Sequence, residues 1–378
     1  MKEGWTYKKL GEVGTFVRGG NFSKKDFVEN GFPCIHYGQI HMKFGIETFK
    51  HISSVPAKIV KPDRCAHKGD LVIAITSEDD AGSCKCTAWM GDYDAYVGGH
   101  TAIFRHTMQP KYVSYYFMSP YFQKDKLEFT HGFKVVEISP KDIAKIAIPV
   151  PPLSEQQSIV DYLDSAFAKI DAMKANAETA LNEAKALFQA SLKEMLEPKE
   201  GWEEKKLPDL SENLDNIRIP VTKKNRSEGK YPYYGASGIV DYVDDYLFDE
   251  DILLISEDGA NLLMRTYPIA FSVSGKVWVN NHAHVLRFKD MATQKFVEYF
   301  FAGFKLDEFI SGAAQPKLTQ KALNRIPIYI PSELSDQQSI VTTLDSIKSK
   351  VERLQENFDK ISQECDALKQ AILKQVFE

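Results

Sequence analysis

Leu153-Ser154-Glu155-Gln156-Gln157-Ser158-Ile159-Val160 returns as Leu334-Ser335-Asp336-Gln337-Gln338-Ser339-Ile340-Val341, 181 positions later. A phrase repeated at that distance means that the chain is two copies of one unit, and the duplication sets the architecture before any shorter pattern is weighed. The copying extends outward. Gly4-Trp5 with Lys8-Lys9-Leu10 opens the first copy and Gly201-Trp202 with Lys205-Lys206-Leu207 the second; Val97-Gly98-Gly99-His100 and Arg105 match Val279-Asn280-Asn281-His282 and Arg287. Each copy is a globular segment, 1–152 or 198–333, followed by a long helical one, 153–197 or 334–378. The helices and their entrances are alike, whereas the globular parts have diverged. That pattern suggests two different ligands held in one frame.

The repeated phrase is a helix start. Pro151 and Pro331 block an earlier beginning, and Ser154 and Ser335 are placed as N-caps with Gln157 and Gln338 three residues on, the spacing of a capping box. From there the second helix spaces its apolar residues by threes and fours through Ile340, Leu344, Ile347, Val351, Leu354, Phe358, Ile361, Cys365, Leu368 and Ile372. The same register, moved back by 181, gives Ile159, Leu163, Ala166, Ile170, Met173, Ala177, Ala180, Ala184 and Leu187 in the first helix. Such a stripe is a coiled-coil seam of about six heptads, with the alanines leaving room for Leu354 and Phe358. Two amphipathic helices, each packed on its own domain, would show similar stripes, but the matched registers favour pairing. A helix from Ser154 to Glu197 is about 65 Å long, whereas a globular segment the size of 198–333 is about 35–40 Å across. That segment joins the end of one helix to the start of the other, so it bridges only an antiparallel pair. The sequence therefore predicts an α+β pseudo-two-fold tandem repeat, with two globular domains separated by an antiparallel coiled coil that acts as a ruler.

Composition fits a globular protein of two or three domains: 378 residues, 43% hydrophobic, 26% charged. The chain has no run of about 18 apolar residues and no signal-peptide pattern at its start, so a cytoplasmic address away from membranes is expected. Five cysteines without a secretion signal fit reduced thiols. Cys34-Ile35-His36, Cys65-Ala66-His67 and Cys84-Lys85-Cys86 offer six zinc-ligand types, yet their one-residue spacing departs from the usual knuckle and the second copy has no counterpart, so no metal is expected. The net charge of −5 is uneven: +4 over 1–152, −3 over 198–333 and −6 on the two helical segments together. A local phosphate-neutralising surface is compatible with that distribution, although the second copy supports it less.

No catalytic constellation emerges. The chain lacks the Asn/Asp-Pro-Pro-aromatic segment of an amino-methyltransferase and any glycine-rich cofactor turn, and Gly275-Lys276 lacks the spacing of a phosphate loop. Pro62-Asp63 resembles the start of a nuclease metal motif, but no acidic-x-Lys partner follows. His100 and His282 occupy equivalent places, which suits a structural or ligand-contact role better than a general base. Short apolar runs, Leu71–Ile75 and Ile252–Ile255, predict buried strands, and Tyr112–Phe117 and Phe296–Phe301 predict a short aromatic helix in each copy. Between them lie glycine-bearing polar loops: Arg18-Gly19-Gly20-Asn21-Phe22-Ser23-Lys24-Lys25 and Tyr37-Gly38-Gln39, then Lys223-Lys224-Asn225-Arg226 and Tyr234-Gly235-Ala236-Ser237-Gly238. Lys and Arg suit phosphates or guanine, and Gln, Asn and Ser suit base edges; solvated surface loops use the same residues.

The Ile-Pro…Leu-Ser-Glu/Asp-Gln-Gln-Ser-Ile-Val entrances, Gly312-Ala313-Ala314-Gln315-Pro316-Lys317-Leu318 and Tyr231-Pro232-Tyr233-Tyr234-Gly235-Ala236-Ser237-Gly238 together resemble the specificity (S) subunit of type I restriction–modification systems, over essentially the whole chain. The resemblance implies that 1–152 and 198–333 are target recognition domains, each reading half of a bipartite double-stranded DNA target. It implies that the coiled coil fixes the unread spacer and docks two methyltransferase (M) subunits, with restriction (R) subunits joining them. The chain itself would be non-catalytic and hold no cofactor or metal; S-adenosylmethionine, ATP and Mg would belong to the partners. Within this picture Arg18, Lys24, Lys25, Lys223, Lys224 and Arg226 are assigned to phosphates, and Tyr37, Gln39, Tyr234, Ser237, Asn281 and His282 to the neighbourhood of bases. Lys134 and Lys317 are placed at the reader-to-helix junctions. The first copy departs from the family by showing Gly132-Phe133-Lys134-Val135 where the second has its Gln-Pro segment, which leaves contacts there less well defined. Two other readings stay open: the same subunit serving a combined methyltransferase-nuclease, and a scaffold whose domains grip polypeptides.

Overall fold

The structure is a computed structural model and describes residues 4–132, 135–312 and 314–378. It divides into two compact units, Met1–Asn176 with Asp359–Glu378, and Ala177–Phe358. Each unit thus combines one globular segment with half of each long helix.

In the first unit a five-stranded sheet runs in the order Gly14–Arg18, Thr101–His106, Leu71–Ala74, Cys86–Trp89, Glu47–Thr48. A second sheet orders Ser53–Val55, Phe32–Ile35, Ala95–Val97 and Cys65–Ala66. The second unit repeats the scheme with Ser211–Asn213, Ala283–Phe288, Ile252–Ser256 and Ala270–Val273, and with Gly238–Val243, Glu228–Gly235, Lys276–Val279 and Phe248–Asp249. The copies share a parallel pairing of inner strands, Tyr96 opposite Cys34 and Trp278 opposite Tyr233. The central strands are apolar throughout: Leu71–Ile75 and Ile252–Ile255 are fully buried, as a strand covered on both faces must be. The expected aromatic helices are present as Pro110–Met118 and Met291–Gly303.

Each copy closes on itself. Thr6–Lys9 pairs with Ala147–Val150, and Trp202–Lys205 with Ile328–Pro331, so the opening residues of a copy lie antiparallel to the strand that feeds its long helix. The two long helices are Leu153–Met195 and Leu334–Phe377. Both begin one residue before the predicted caps: the N–H groups of Glu155 and Gln156 bond to Pro152 O at 2.9 and 3.0 Å, and those of Asp336 and Gln337 to Glu333 O. Ser154 and Ser335 therefore lie inside the first turn. Gln157 and Gln338 reach forward, to Asp161 and Thr342, instead of back. The neighbouring glutamines make the anchor. Gln156 donates to Pro151 O at 2.8 Å and accepts from Gln109 N, while Gln337 donates to Pro331 O at 2.7 Å and accepts from the Thr293 hydroxyl.

The helices run antiparallel within each unit. In the first, Lys174 approaches Asp366 while Asp171, three residues earlier, takes Lys369, three residues later; in the second, Lys185 donates to Gln355. Val160, Leu163, Phe167 and Ile170 join Cys365, Leu373, Val376 and Phe377 in the core of the first unit, and Leu192, Val341 and Leu344 pack with Phe296 and Tyr299 in the second. Ile159 and Ile361 are half-buried against the first core, and Ile340 against the second. Val351, Leu354 and Phe358 are half-buried too. Four predicted seam residues are not in it: Met173, Leu187 and Leu368 are 58%, 61% and 48% exposed, and Ala180 is exposed as well. Beyond Ile170 the buried row of the first helix passes through Lys174, Ala177, Leu181, Ala184 and Phe188. Residues 173 and 174 differ by about 100° around a helix; both rows step by threes and fours and share Ala177 and Ala184, and they part at Met173 or Lys174, Ala180 or Leu181, and Leu187 or Phe188.

A tyrosine fastens each aromatic helix to its long helix at positions 181 apart on the latter. The Tyr115 hydroxyl donates to Asp164 at 2.6 Å, and the Tyr299 hydroxyl to Asp345. Burial first, and the accepting carboxylate second, push both phenols well up. Replacing either tyrosine by phenylalanine is expected to cost its unit about 1–2 kcal/mol, since a bond to a charged acceptor is lost while the ring stays. Urea denaturation of the variants checks this, and a loss within error of zero would show that the hydroxyls do not fasten the helices.

Candidate nucleic-acid interface

The sheet edge of the first unit ends in a crowded turn. After Arg18 the chain crosses the Val97–Gly98 backbone so closely that a Cβ on Gly19 would lie 1.9 Å from Gly98 O, and one on Gly20 1.9 Å from the Tyr96 hydroxyl. Only glycine fits. The turn is fixed by Gly19 N to Thr101 O at 2.9 Å and Gly20 N to Val97 O at 2.6 Å. Ser23 and Asp26 then cap each other around the short helix Lys24–Asp26, leaving Lys24 and Lys25 exposed. Opposite, the His36 ring accepts from Gly38 N and starts the helix Tyr37–Met42. The Tyr37 ring lies 4.5 Å from that of His36 and 5.2 Å from that of His100. Between these walls is a cleft of about 740 Å³ that also takes in Arg18 and Arg64. Burial first, then Lys24 and His100, lower the pKa of His36 below the ordinary imidazole value.

Two assigned residues of this domain fare differently. Gln39 is buried; it accepts from His36 N at 2.9 Å and donates to the Ser53 hydroxyl at 2.8 Å, so its amide is used within the domain. Lys134 lies outside the described residues. Arg64 was not singled out in the sequence, where it is the residue after the rejected Pro62-Asp63 pair; its guanidinium donates to Gly19 O at 3.2 Å and so belongs to the cleft.

The second unit builds the corresponding corner with other side chains. Asn281 and His282 are exposed at the head of the strand Ala283–Phe288, and the His282 ring lies 2.9 Å from the Asp258 carboxylate. Lys317, half-exposed, meets Glu257 at 3.1 Å. Behind them Arg218 donates to Glu257 at 2.7 Å and to Ala283 O at 2.6 Å, and the buried His284 ring spans Asp215 at 2.6 Å and Leu318 O at 2.8 Å. Burial opposes charge on Asp215 and Glu257. His284, the Val285 N–H and Arg218 outweigh it for Asp215, and Arg218, His284 and Lys317 for Glu257, so both carboxyls lie below the usual range. Asp215, Glu257 and His284 are near enough to share a metal ion, but Arg218 already bridges the two carboxylates. The Ser256 hydroxyl holds Ala236 O and so fixes the hairpin tip that exposes Ser237. Tyr234 is half-buried against Phe271. Lys223 and Lys224 stand exposed in a short turn. Arg226 is engaged within the domain, paired with Asp241 at 2.9 Å and lying 4.3 Å from the centre of the Tyr233 ring.

Backbone pairing shows which residues correspond. Ile75 N bonds to His100 O and Ile138 N to Ile75 O; Glu257 N bonds to His282 O and Leu318 N to Glu257 O. Glu137, and not Lys134, is thus the counterpart of Lys317, and it takes Arg18 at 2.8 Å. In the Cys34–Cys86 stretch the thiols are buried or half-buried and free, and burial pushes Cys34 and Cys84 up to about 12 and Cys65 to about 11. Among the described residues none of these cysteines or their neighbouring histidines joins a trio able to share a metal. Among the described residues no helix is long and apolar enough to cross a membrane.

Two mixed α/β domains of one plan, each fastened to an antiparallel helix pair and each presenting a varied polar corner, define a tandem recognition protein. The family model for the type I restriction modification DNA specificity domain matches residues 2–183 and again 199–363, and the chain belongs to that family. A provisional type I restriction enzyme specificity subunit of Haemophilus influenzae is 38% identical over 157 residues, 41% of this chain and 40% of that relative. The specificity subunit of the EcoKI type I restriction enzyme of Escherichia coli is 24% identical over 198 residues, 51% of this chain and 42% of the relative. These matches span less than half of either relative. The HsdS subunit of Thermoanaerobacter tengcongensis shares the fold, with a TM-score of 0.61 at 18% identity over 100% of this chain and 97% of the other. A chain from a solved type I restriction–modification complex shares it with a TM-score of 0.77 at 17% identity, over 100% of this chain and 98% of that one.

Proposed function

We propose that this chain is the non-catalytic specificity subunit of a type I restriction–modification complex and works in the cytoplasm. Each recognition domain reads one half of a bipartite double-stranded DNA target, and the helix pair sets the unread gap and docks two methyltransferase subunits. Adenine methylation with S-adenosylmethionine, and cleavage driven by ATP with Mg by restriction subunits, belong to those partners. One observation carries the reading: both copies end the same pair of strands in the same corner, and fill it with different cations, amides and imidazoles. A shared frame with divergent contact residues is what two half-sites of different sequence require. Groove readout needs side chains of this kind on a fixed backbone.

The exposed turn of the second domain supplies a direct test. The double variant Lys223→Ala/Lys224→Ala is expected to lower the slope of log K against log salt by about 1–2, since each neutralised phosphate contributes about 0.9. Arg226→Ala is expected to destabilise the hairpin instead, because its partners are Asp241 and Tyr233. Titration of a labelled duplex at several salt concentrations reads the slope, and an unchanged slope in the double variant would remove that turn from the interface.

A further inference from the structure

The corner common to the two domains carries opposite charge at its junction position. In the first domain Glu137 takes Arg18; in the second Lys317 takes Glu257. The surroundings differ in the same sense. Around the first-domain cleft, Lys24 and Lys25 have no carboxylate partner among the described residues, and Arg64 has only Asp63 at 3.8 Å. In the second domain, Arg218 and Lys317 are met by Asp215 and Glu257, and His282 by Asp258. Lys24 and Lys25 of the first corner are therefore available to a ligand, with Arg64 beside them donating to Gly19 O, whereas Arg218, Lys317 and His282 of the second are met by carboxylates of their own domain.

We propose that the first-domain cleft is a phosphate site for the DNA backbone, held by Lys24, Lys25 and Arg64 beside the Tyr37 ring, and that the equivalent corner of the second domain binds no phosphate and contacts DNA through Asn281 and His282. This rests on the DNA-reading function proposed above. The cleft has the chemistry for successive phosphodiesters of one strand: three cations line one concavity, one to each phosphate, and an aromatic wall accommodates the sugar or base attached to them. The second corner lacks that capacity, because a phosphate there would face Asp258, Glu257 and Asp215, and Lys317 would have to leave Glu257 to meet it. At this corner the first half-site is gripped by a salt-sensitive charge contact and the second by hydrogen bonds that salt screens little, so that phosphate contact in the second domain falls to its exposed Lys223–Lys224 turn.

The test is duplex binding by the full chain with its methyltransferase partner, over about 50–300 mM KCl. Lys24→Gln/Lys25→Gln is expected to lower the salt slope by about two, and adding Arg64→Gln by about three in all, at about 0.9 per phosphate contact. Lys317→Gln is expected to leave the slope within about 0.5 of the parent. Lys24→Arg/Lys25→Arg should keep the full slope, because charge and not side-chain identity is at work. The double glutamine variant alters only exposed side chains, so its readout stands even if Arg64→Gln weakens the turn. Unchanged slopes in the cleft variants, or an equal loss from Lys317→Gln, would overturn the phosphate assignment and leave the DNA-reading function intact. Failure of the parent protein to bind any duplex would instead sink that function, and the cleft proposal with it.

Discussion

Removing one heptad from each long helix, at positions facing one another, is expected to yield a protein whose target keeps both half-sites but loses about three base pairs from the gap between them. Seven residues span about 10.5 Å of helix, and B-DNA advances about 3.4 Å per base pair. The same change turns one half-site by about 100° around the duplex, since a turn takes about 10–10.5 base pairs. Affinity should therefore fall even as the motif stays readable. Methylation mapping of cells carrying the shortened protein reads both quantities at once. Altered half-sites with an unaltered gap would mean that the helices do not act as a ruler.

The largest expected effect on stability lies at the helix seam and separates the two registers the sequence allowed. Leu163 and Leu344 are fully buried, so Leu163→Ala or Leu344→Ala should cost about 2–5 kcal/mol through lost transfer energy and the cavity left behind. Met173→Ala and Leu187→Ala, on side chains more than half exposed, should each cost under about 0.5 kcal/mol. Urea midpoints of the four variants decide the matter. Losses at Met173 and Leu187 as large as those at Leu163 would return the seam to the register read by a uniform shift of 181.

That contrast shows where the sequence was legible. The duplication, the two long helices, their antiparallel sense and the aromatic helices could be read because each rests on many residues in agreement. Half of the first helix could not, because the two competing rows share Ala177 and Ala184 and only one of them keeps the register of the second helix, whereas the buried row follows Lys174, Leu181 and Phe188. The capping serines were misplaced for a local reason: Pro152 O and Glu333 O already serve as the first acceptors, which puts the serines within the helix. Composition pointed to the loops but not to which side chains are free within them. Gln39 and Arg226 have the right chemistry for DNA and are committed inside their domains, whereas Arg64 arrives at the cleft from a distant segment that no local motif marks. Lys134 and Lys317 were both placed at the reader-to-helix junctions; Lys134 lies outside the described residues, and backbone pairing makes Glu137 the counterpart of Lys317, with which the charge inversion between the two corners appears.

The central claim is that two fixed readers share one target, and base-resolution methylation mapping tests it most directly. DNA is compared from cells that express the neighbouring methyltransferase with and without this chain. The account predicts methyladenine at a split motif with a gap of constant length, present only when the chain is present. Methylation that is unchanged by the chain, while the same methyltransferase is active with another specificity subunit, would contradict it.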